Sequence, residues 1–283
     1  MKISYNGMWP GFDATNNWFN AMFVEYFNES IDFSFDHNGS DIILSSVFGH
    51  PVENNKARKI FYSGETRIDG AKNNEVLLAF NNYYEFKNFF RLPIWYLYIN
   101  WWGDKFNLKS GLNYNVNIND MSQVNIDNNF LNRSGFCSIV ASNPISERFF
   151  AYDILSTIDK VDGFGSMFNN KFNEDKIKII NNYKFNICFE NSISPGYVTE
   201  KLLEAKLAGC IPIYWGDSAA HSDFNSNGFI DFTRMSSLQE LSNTVKSIYE
   251  SEDRMIEIAS QPMFNSPPSL DSLYDFFDKV GLK

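Results

Sequence analysis

The chain lacks the usual glycine fingerprints of nucleotide binding. No G-x-G-x-x-G follows its first strand-like run, no G-x-x-x-x-G-K-[ST] occurs, and GFG at 163–165 is too short to count. That speaks against a dinucleotide oxidoreductase. No D-x-D pair occurs either, so the carboxylate pair on which many enzymes hold a divalent metal is missing. The three histidines, His37, His50 and His221, are scattered and form no metal-ligand spacing. Cysteine is scarce: Cys137, Cys188 and Cys210 each sit in an apolar run, and an odd, widely spaced set fits neither a disulfide framework nor a zinc site. They read as reduced, buried thiols. No apolar run reaches the roughly 18 residues of a membrane span, and MKISYNGMWPGF is no signal peptide. A cytoplasmic location without a transmembrane segment is expected, with peripheral membrane association left open. Positive charge is also in deficit. With 24 Lys and Arg against 34 Asp and Glu the net charge is -10, which argues against a nucleic-acid partner but not against a local cationic pocket. Sequons at Asn28, Asn38 and Asn132 are read as chance in so asparagine-rich a chain.

What is present is ample core material. The 283 residues are 44% apolar, with 28 Phe and 14 Tyr, enough for one large domain or two smaller ones. In the first half, KISY, IDFSF, DIILSSV, KIFYS and NEVLLAF read as strands, and Trp18, Met22, Phe23, Tyr26 and Phe27 recur at helical spacing behind Asn16 or Asn17. Residues 103–132 are rich in Asn, Gly and Ser and read as a long loop. In the second half, FCSIVAS, FNICFE, CIPIYWG and GFIDF are strands. Between and after them come helices in ERFFAYDILSTI, EDKIKIINNY, TEKLLEAKLAG and SLQELSNTVKSIYE, and VDGFG reads as a turn. The β-α-β-α-β order is Rossmann-like and predicts an α/β fold. The expected division is a first domain over 1–132, a second over 133–262, and a tail, 263–283, packing back on the first domain.

One stretch, FENSISPGYVTEK (189–201), stands out. In a parallel sheet, ligands sit at the carboxyl ends of strands, so the loop after FNICFE covers the expected pocket. Free amides at the start of the next helix suit a phosphate. Glu200 complements the helix dipole, but Lys201 does not unless an anion waits beside it. Lys201 is then a phosphate partner, Glu200 an acceptor for ribose hydroxyls, and Gly196 permits close backbone approach. The plainer alternative is a surface lysine beside a helix cap. Arg148, in SNPISERFF, offers a second cation, or else a solvent-exposed helix arginine.

These residues carry a resemblance. NICFENSISPGYVTEKLLEAKLAGCIPIYWGD (186–217) resembles the signature of the alpha-1,3-fucosyltransferases, glycosyltransferase family 10: F-x-x-x-x-E-N-S, a gap, Y-[IV]-T-E-K, a helix, then [IV]-P-[IV] and Gly. KIFYSGE (59–65), NNYYEFKNFFRLPIWY (81–96), FCSIVASNPISERFFAYDIL (136–155) and VDGFG (161–165) are similar to further family segments. The match is closest to bacterial-type soluble members. The resemblance implies a GT-B fold of two Rossmann-like domains facing a cleft, GDP-fucose as donor, no metal or other cofactor, and inverting transfer. By matching positions, Arg148 and Lys201 hold the diphosphate, Glu200 the ribose, and Asn191 and Tyr197 line the donor pocket. Glu65 becomes the candidate general base, with Thr66 where relatives carry Asn; its alternative is a turn carboxylate capping something local. An oxocarbenium-like centre favours a nearby anion, and Glu190 is the candidate for that role. Trp9, Phe12, Tyr83, Tyr84, Trp95, Trp101 and Trp102 are candidates for stacking sugars, each competing with plain core packing.

The expected reaction is fucosyl transfer to an oligosaccharide containing galactose and N-acetylglucosamine, at the 3-hydroxyl of N-acetylglucosamine. The alternatives are a GT-B transferase using another GDP-sugar and a catalytically silent nucleotide-sugar binder.

Overall fold

The computed structural model describes residues 1–52, 56–81, 85–108, 129–170 and 175–283. Tyr83, Tyr84 and most of the 103–132 segment lie outside the described residues. The chain forms two compact units: Met1–Ile118 with Pro268–Lys283, and Asn119–Pro267.

Unit 1 is built on a six-stranded, all-parallel sheet of order β2-β1-β3-β4-β5-β6. The strands are β1 (Lys2–Asn6), β2 (Asp32–Ser34), β3 (Ile42–Ser46), β4 (Arg58–Ser63), β5 (Val76–Ala79) and β6 (Phe89–Arg91). Alternation decides which residues face where. Ile3, Tyr5, Ile42, Leu44, Ile60, Tyr62, Val76 and Leu78 join one core cluster, with helix α1 (Trp18–Phe27) and the C-terminal helix Asp271–Lys279 laid against them. Asn17 caps α1 by accepting from the Asn20 amide, and Asn28 ends it in the left-handed region at φ 54°, which asparagine tolerates. The other face of the sheet, Val47, Phe61, Leu77 and Ala79, packs under Ile68, Ala71, Phe86 and Phe89. Among the described residues, the crossovers after β3, β4 and β5 contain no helix, unlike a regular alternating half.

Unit 2 carries a five-stranded parallel sheet of order β11-β10-β9-β7-β8. Its strands are β7 (Gly135–Val140), β8 (Val161–Phe164), β9 (Tyr183–Phe189), β10 (Ile211–Trp215) and β11 (Ile230–Asp231). Its helices are α2 (Ser146–Leu155), α3 (Lys176–Ile180), α4 (Lys201–Leu207), α5 (Ala220–Asp223), α6 (Leu238–Tyr249) and α7 (Glu252–Ala259). The strand order places β9 at the centre, so the loop that leaves it starts from the middle of the carboxyl edge. VDGFG is not the turn expected from its glycines: Val161–Phe164 pairs in parallel with β7 as an edge strand. Gly163 serves packing there, because a Cβ on it would come within 2.4 Å of the Phe168 ring.

The C-terminal helix belongs to the unit 1 core. Phe277 is fully buried against Phe23 and Tyr26, and the Tyr26 hydroxyl donates to Asp278 Oδ1 at 2.7 Å. Phe277→Ala is expected to destabilise the protein by about 3–5 kcal/mol, read from the urea unfolding midpoint, as large-to-small changes in a packed core do. A shift below about 1 kcal/mol would show that this helix is not part of the core.

Candidate active site

The groups picked out in the second half of the sequence meet at the tip of β9. Glu190 follows the last residue of that strand, is completely buried, and its amide bonds to Trp215 O on β10 at 2.9 Å. Both carboxylate oxygens are used. Oε1 accepts from the Thr199 amide at 2.8 Å, and Oε2 accepts from Thr199 Oγ1 at 2.7 Å and Lys201 Nζ at 2.9 Å. Lys201 Nζ also donates to Thr199 Oγ1 at 2.7 Å and, at a longer 3.4 Å, to Glu200 Oε1. One buried carboxylate thus closes residues 191–198 into a loop and holds the lysine at its end.

Two expectations change here. The anion that makes a lysine acceptable in the first turn of α4 is the protein's own Glu190, joined by Glu200. The Thr199 amide, just ahead of the helix N-cap, donates to Glu190. Glu190 itself stands behind Lys201 and Thr199, with no exposed surface from which to meet a sugar. The sequence pattern reveals a carboxylate next to the loop. It does not reveal that the chain turns back nine residues later to satisfy that carboxylate.

Arg148 arrives from α2. It shares the helix's buried face with Ala151 and Leu155 at spacings of three and seven, and it is only 3% exposed, which removes the solvent-arginine alternative. Nε and NH2 both donate to Phe189 O (3.2 and 2.6 Å), NH2 also to Asn191 Oδ1 (2.9 Å), and NH1 to Asn143 O (2.8 Å). These bonds use four of the five guanidinium N–H groups, leaving one on NH1. Arg148 and Lys201 therefore flank the end of β9, one on the Phe189 carbonyl and Asn191, the other on Glu190. They feel the same neighbours. Burial lowers the Arg148 pKa, and Glu190, Tyr197 and Glu200 oppose that shift. Burial would also lower that of Lys201, but Glu190 and Glu200 outweigh it, with Tyr197 adding, and hold the ammonium above the ordinary lysine value.

Glu200, at the N-cap of α4, makes no cap bond with its side chain. Burial disfavours its charge, yet Lys201 and Lys176 more than compensate and hold its pKa at about 2. Lys176, at the start of α3, is bonded to the buried Glu204 of α4. Neither residue of that pair was marked in the sequence; the signal was an acid one helical turn after Glu200. Asp217 is a second residue that sequence reasoning missed. Its Oδ1 accepts from the amides of Gly196 (2.8 Å) and Ala219 (3.0 Å), pinning the loop beside Tyr197 to the turn after β10. Gly196 has φ +77°, a conformation that favours glycine. Gly216 is needed for a different reason: a Cβ there would lie 2.3 Å from the Tyr214 hydroxyl and 2.8 Å from Glu190 Cγ. Asn191 is exposed and Tyr197 half-buried.

Glu65 belongs to unit 1, two residues past β4. Ser63 Oγ, fully buried, accepts from the Glu65 amide (3.2 Å) and lies within bonding distance of the carbonyls of Glu65 (3.0 Å) and Arg67 (2.6 Å). The turn is therefore held by backbone contacts. The Glu65 side chain is exposed, and its carboxylate has no hydrogen-bond partner among the described residues, unlike a carboxylate capping its own turn. Among the stacking candidates, Trp95 is buried, while Trp9, Phe12, Trp101 and Trp102 are partly buried against the core of unit 1. Among the described residues no group of three His, Cys, Asp or Glu is arranged to hold a metal ion. No helix among them is long and apolar enough to cross a membrane.

Two parallel α/β units, the second with its functional groups at the carboxyl edge, define the GT-B class of glycosyltransferase folds. Solved alpha1,3-fucosyltransferase structures share this architecture. The complex with GDP superposes with a TM-score of 0.73 at 24% identity, and the complex with GDP-fucose with 0.71 at 23%, each over 99% of this chain and 89% of theirs. The C-terminal model of glycosyltransferase family 10 (fucosyltransferase) matches residues 132–258, and the alpha-(1,3)-fucosyltransferase FucT N-terminal domain model matches residues 3–98. The chain belongs to glycosyltransferase family 10. It is similar to the alpha-(1,3)-fucosyltransferase FucT of Helicobacter pylori, 27% identical over 274 residues, covering 87% of this chain and 56% of that protein. A putative fucosyltransferase of Acanthamoeba polyphaga mimivirus is 28% identical over 156 residues, half of this chain and 26% of that protein. The chain thus matches 56% of the length of the first of these relatives and 26% of the second.

The Glu200 environment has a measurable consequence. Its folded pKa of about 2 lies below the ordinary 4.5, so its contribution to stability is complete above pH 4.5 and is lost as pH falls from there towards 2. Urea midpoints taken from pH 6 down to pH 3 should fall more steeply for the wild type than for Glu200→Gln. Parallel curves would mean that Glu200 is not held ionised by its lysines.

Proposed function

We propose that this protein transfers fucose from GDP-fucose to a hydroxyl of an acceptor glycan, with inversion and without a metal ion. The observation that carries this reading is the convergence of Arg148 and Lys201 on one strand end, with Tyr197 and an ionised Glu200 beside them. Family membership supports it, as does the solved alpha1,3-fucosyltransferase that holds GDP-fucose in the same fold.

Each residue has a task that follows from its surroundings. Lys201 is anchored by two short bonds to Glu190 and Thr199, and its 3.4 Å contact to Glu200 is the one most easily given up. A diphosphate oxygen takes that N–H. The exchange frees Glu200 Oε1 to accept from a ribose hydroxyl. Arg148 offers its remaining NH1 proton to the same diphosphate while its other donors keep it fixed. Asn191 presents its amide N–H groups, because its oxygen is engaged by Arg148. Tyr197 closes the donor pocket. Glu190 positions Lys201 and touches no substrate.

The reaction is one displacement. The acceptor oxygen bonds to the anomeric carbon as the bond from that carbon to the diphosphate oxygen breaks. The acceptor's proton passes to Glu65, which is free to receive it. The electron pair leaves with GDP, and Arg148 and Lys201 stabilise the charge that grows there. These preorganised cations supply what a metal would otherwise provide. An acceptor carrying galactose and N-acetylglucosamine, with reaction at the 3-hydroxyl of the latter, completes the proposal. A cytoplasmic setting suits the three buried free cysteines.

In EDTA, GDP should raise the melting temperature more than UDP or NAD does, and GDP-fucose with an N-acetyllactosamine acceptor should release GDP. Glu65→Ala should lower turnover by at least about a hundredfold with the GDP shift intact. Turnover abolished by EDTA and restored by a divalent ion would refute the metal-free step. Undiminished transfer by Glu65→Ala would remove the base. GDP binding without turnover on any acceptor would favour a silent binder.

A further inference from the structure

A row of aromatic rings runs along the carboxyl edge of the unit 1 sheet, starting at Tyr62, three residues before Glu65. Tyr62 lies on β4, and its hydroxyl is 2.8 Å from where a Cβ on Gly64 would be. Trp9 lies 6.3 Å from Tyr62 between ring centroids, Phe12 4.9 Å from Trp9, and Phe35 6.5 Å from Phe12. The row passes from β4 to the end of the edge strand β2. In the sheet, β3 and β1 stand between those two strands, which makes three inter-strand steps, or about 14 Å.

The rings differ in what they do for the fold. Tyr62 is buried, and Trp9 and Phe12 pack partly against the core. Phe33 already supplies the inward ring at the end of β2, stacked 6.2 Å from Tyr5. Phe35 is 57% exposed, the most open large apolar side chain among the described residues. Leaving that ring in water gains nothing for the core, and beside the partly buried Phe12 and Trp9 it extends their aromatic face to the surface. Its rim is polar: Asp36 binds Lys2 Nζ at 2.9 Å, and the exposed Asp13 accepts from Thr15. An apolar face with hydrogen-bonding groups at its edge matches a pyranose ring, which has C–H groups on its face and hydroxyls around its rim. The distance sets the size of the ligand. One sugar residue held at Glu65 does not reach Phe35; a chain of several does.

We propose that Phe35 forms a distal acceptor subsite, stacking a sugar ring remote from the reacting one, and that the protein favours glycans longer than a disaccharide. This rests on the fucosyl-transfer reading. The test compares N-acetyllactosamine with a tetrasaccharide of two N-acetyllactosamine units, using wild type, Phe35→Ala and Phe35→Trp. Phe35→Ala should raise the tetrasaccharide KM about tenfold, with kcat, disaccharide KM and GDP affinity within about twofold, and Phe35→Trp should restore it. An unchanged tetrasaccharide KM, or an equal rise for both glycans, overturns the proposal. If the wild type transfers to neither glycan, fucosyl transfer is what fails, and saturation-transfer NMR of the tetrasaccharide tests the subsite by itself. Saturation of the glycan that is lost in Phe35→Ala supports it. No saturation, or saturation unchanged in that variant, overturns it.

Discussion

A fully buried carboxylate at the end of a central strand governs the candidate donor site. Removing a charge from water costs several kcal/mol, and the cost is recovered only when geometry and partners are both good. Glu190 meets that condition with a backbone amide, a hydroxyl and an ammonium. Because two of those partners come from Thr199 and the third from Lys201, satisfying the charge also closes the donor loop and starts α4. The stability of the loop and the placing of the lysine are therefore the same problem, solved once.

The arrangement explains how two cations wait for an anion in a chain of net charge -10. Arg148 is held mainly by main-chain carbonyls, which orient it without cancelling its charge. Lys201 is held by carboxylates, which do compensate it, and the weaker of those contacts lies on Glu200. On the proposed reading, a diphosphate that displaces this contact releases Glu200 at the same moment, which would couple the binding of the two halves of a nucleotide through one hydrogen bond. Asp217 fixes the backbone next to Tyr197 by accepting from the Gly196 amide. Lys176, itself paired with Glu204, joins Lys201 in keeping Glu200 ionised.

Much of this was legible in the residues. Strand and helix periodicity placed β9, β10, α2 and α4 to within a few residues, since apolar spacing is a local property. The mismatch of a lysine in the first turn of α4 drew attention to the right loop. What local pattern could not supply was partnership across the loop: that Thr199 and Lys201, nine and eleven residues after Glu190, both close on its carboxylate, or that Asp217 reaches back to Gly196. VDGFG misled because glycine signals both turns and close packing, and here Phe168 needed the space. The helices Glu252–Ala259 and Asp271–Lys279 are less legible because they are short and their apolar positions are interleaved with charges. Phe35 was invisible for the opposite reason, since in IDFSF it reads as one more inward strand residue.

A double-mutant cycle on Glu190→Gln and Lys201→Met, read as urea unfolding free energies, tests the governing interaction most directly. Each single change strands a buried group and should cost about 3–5 kcal/mol. The double variant should cost less than the two singles combined by at least about 2 kcal/mol. Additive losses, or singles that are nearly silent, would mean that Glu190 and Lys201 do not depend on each other and that the donor loop is held in some other way.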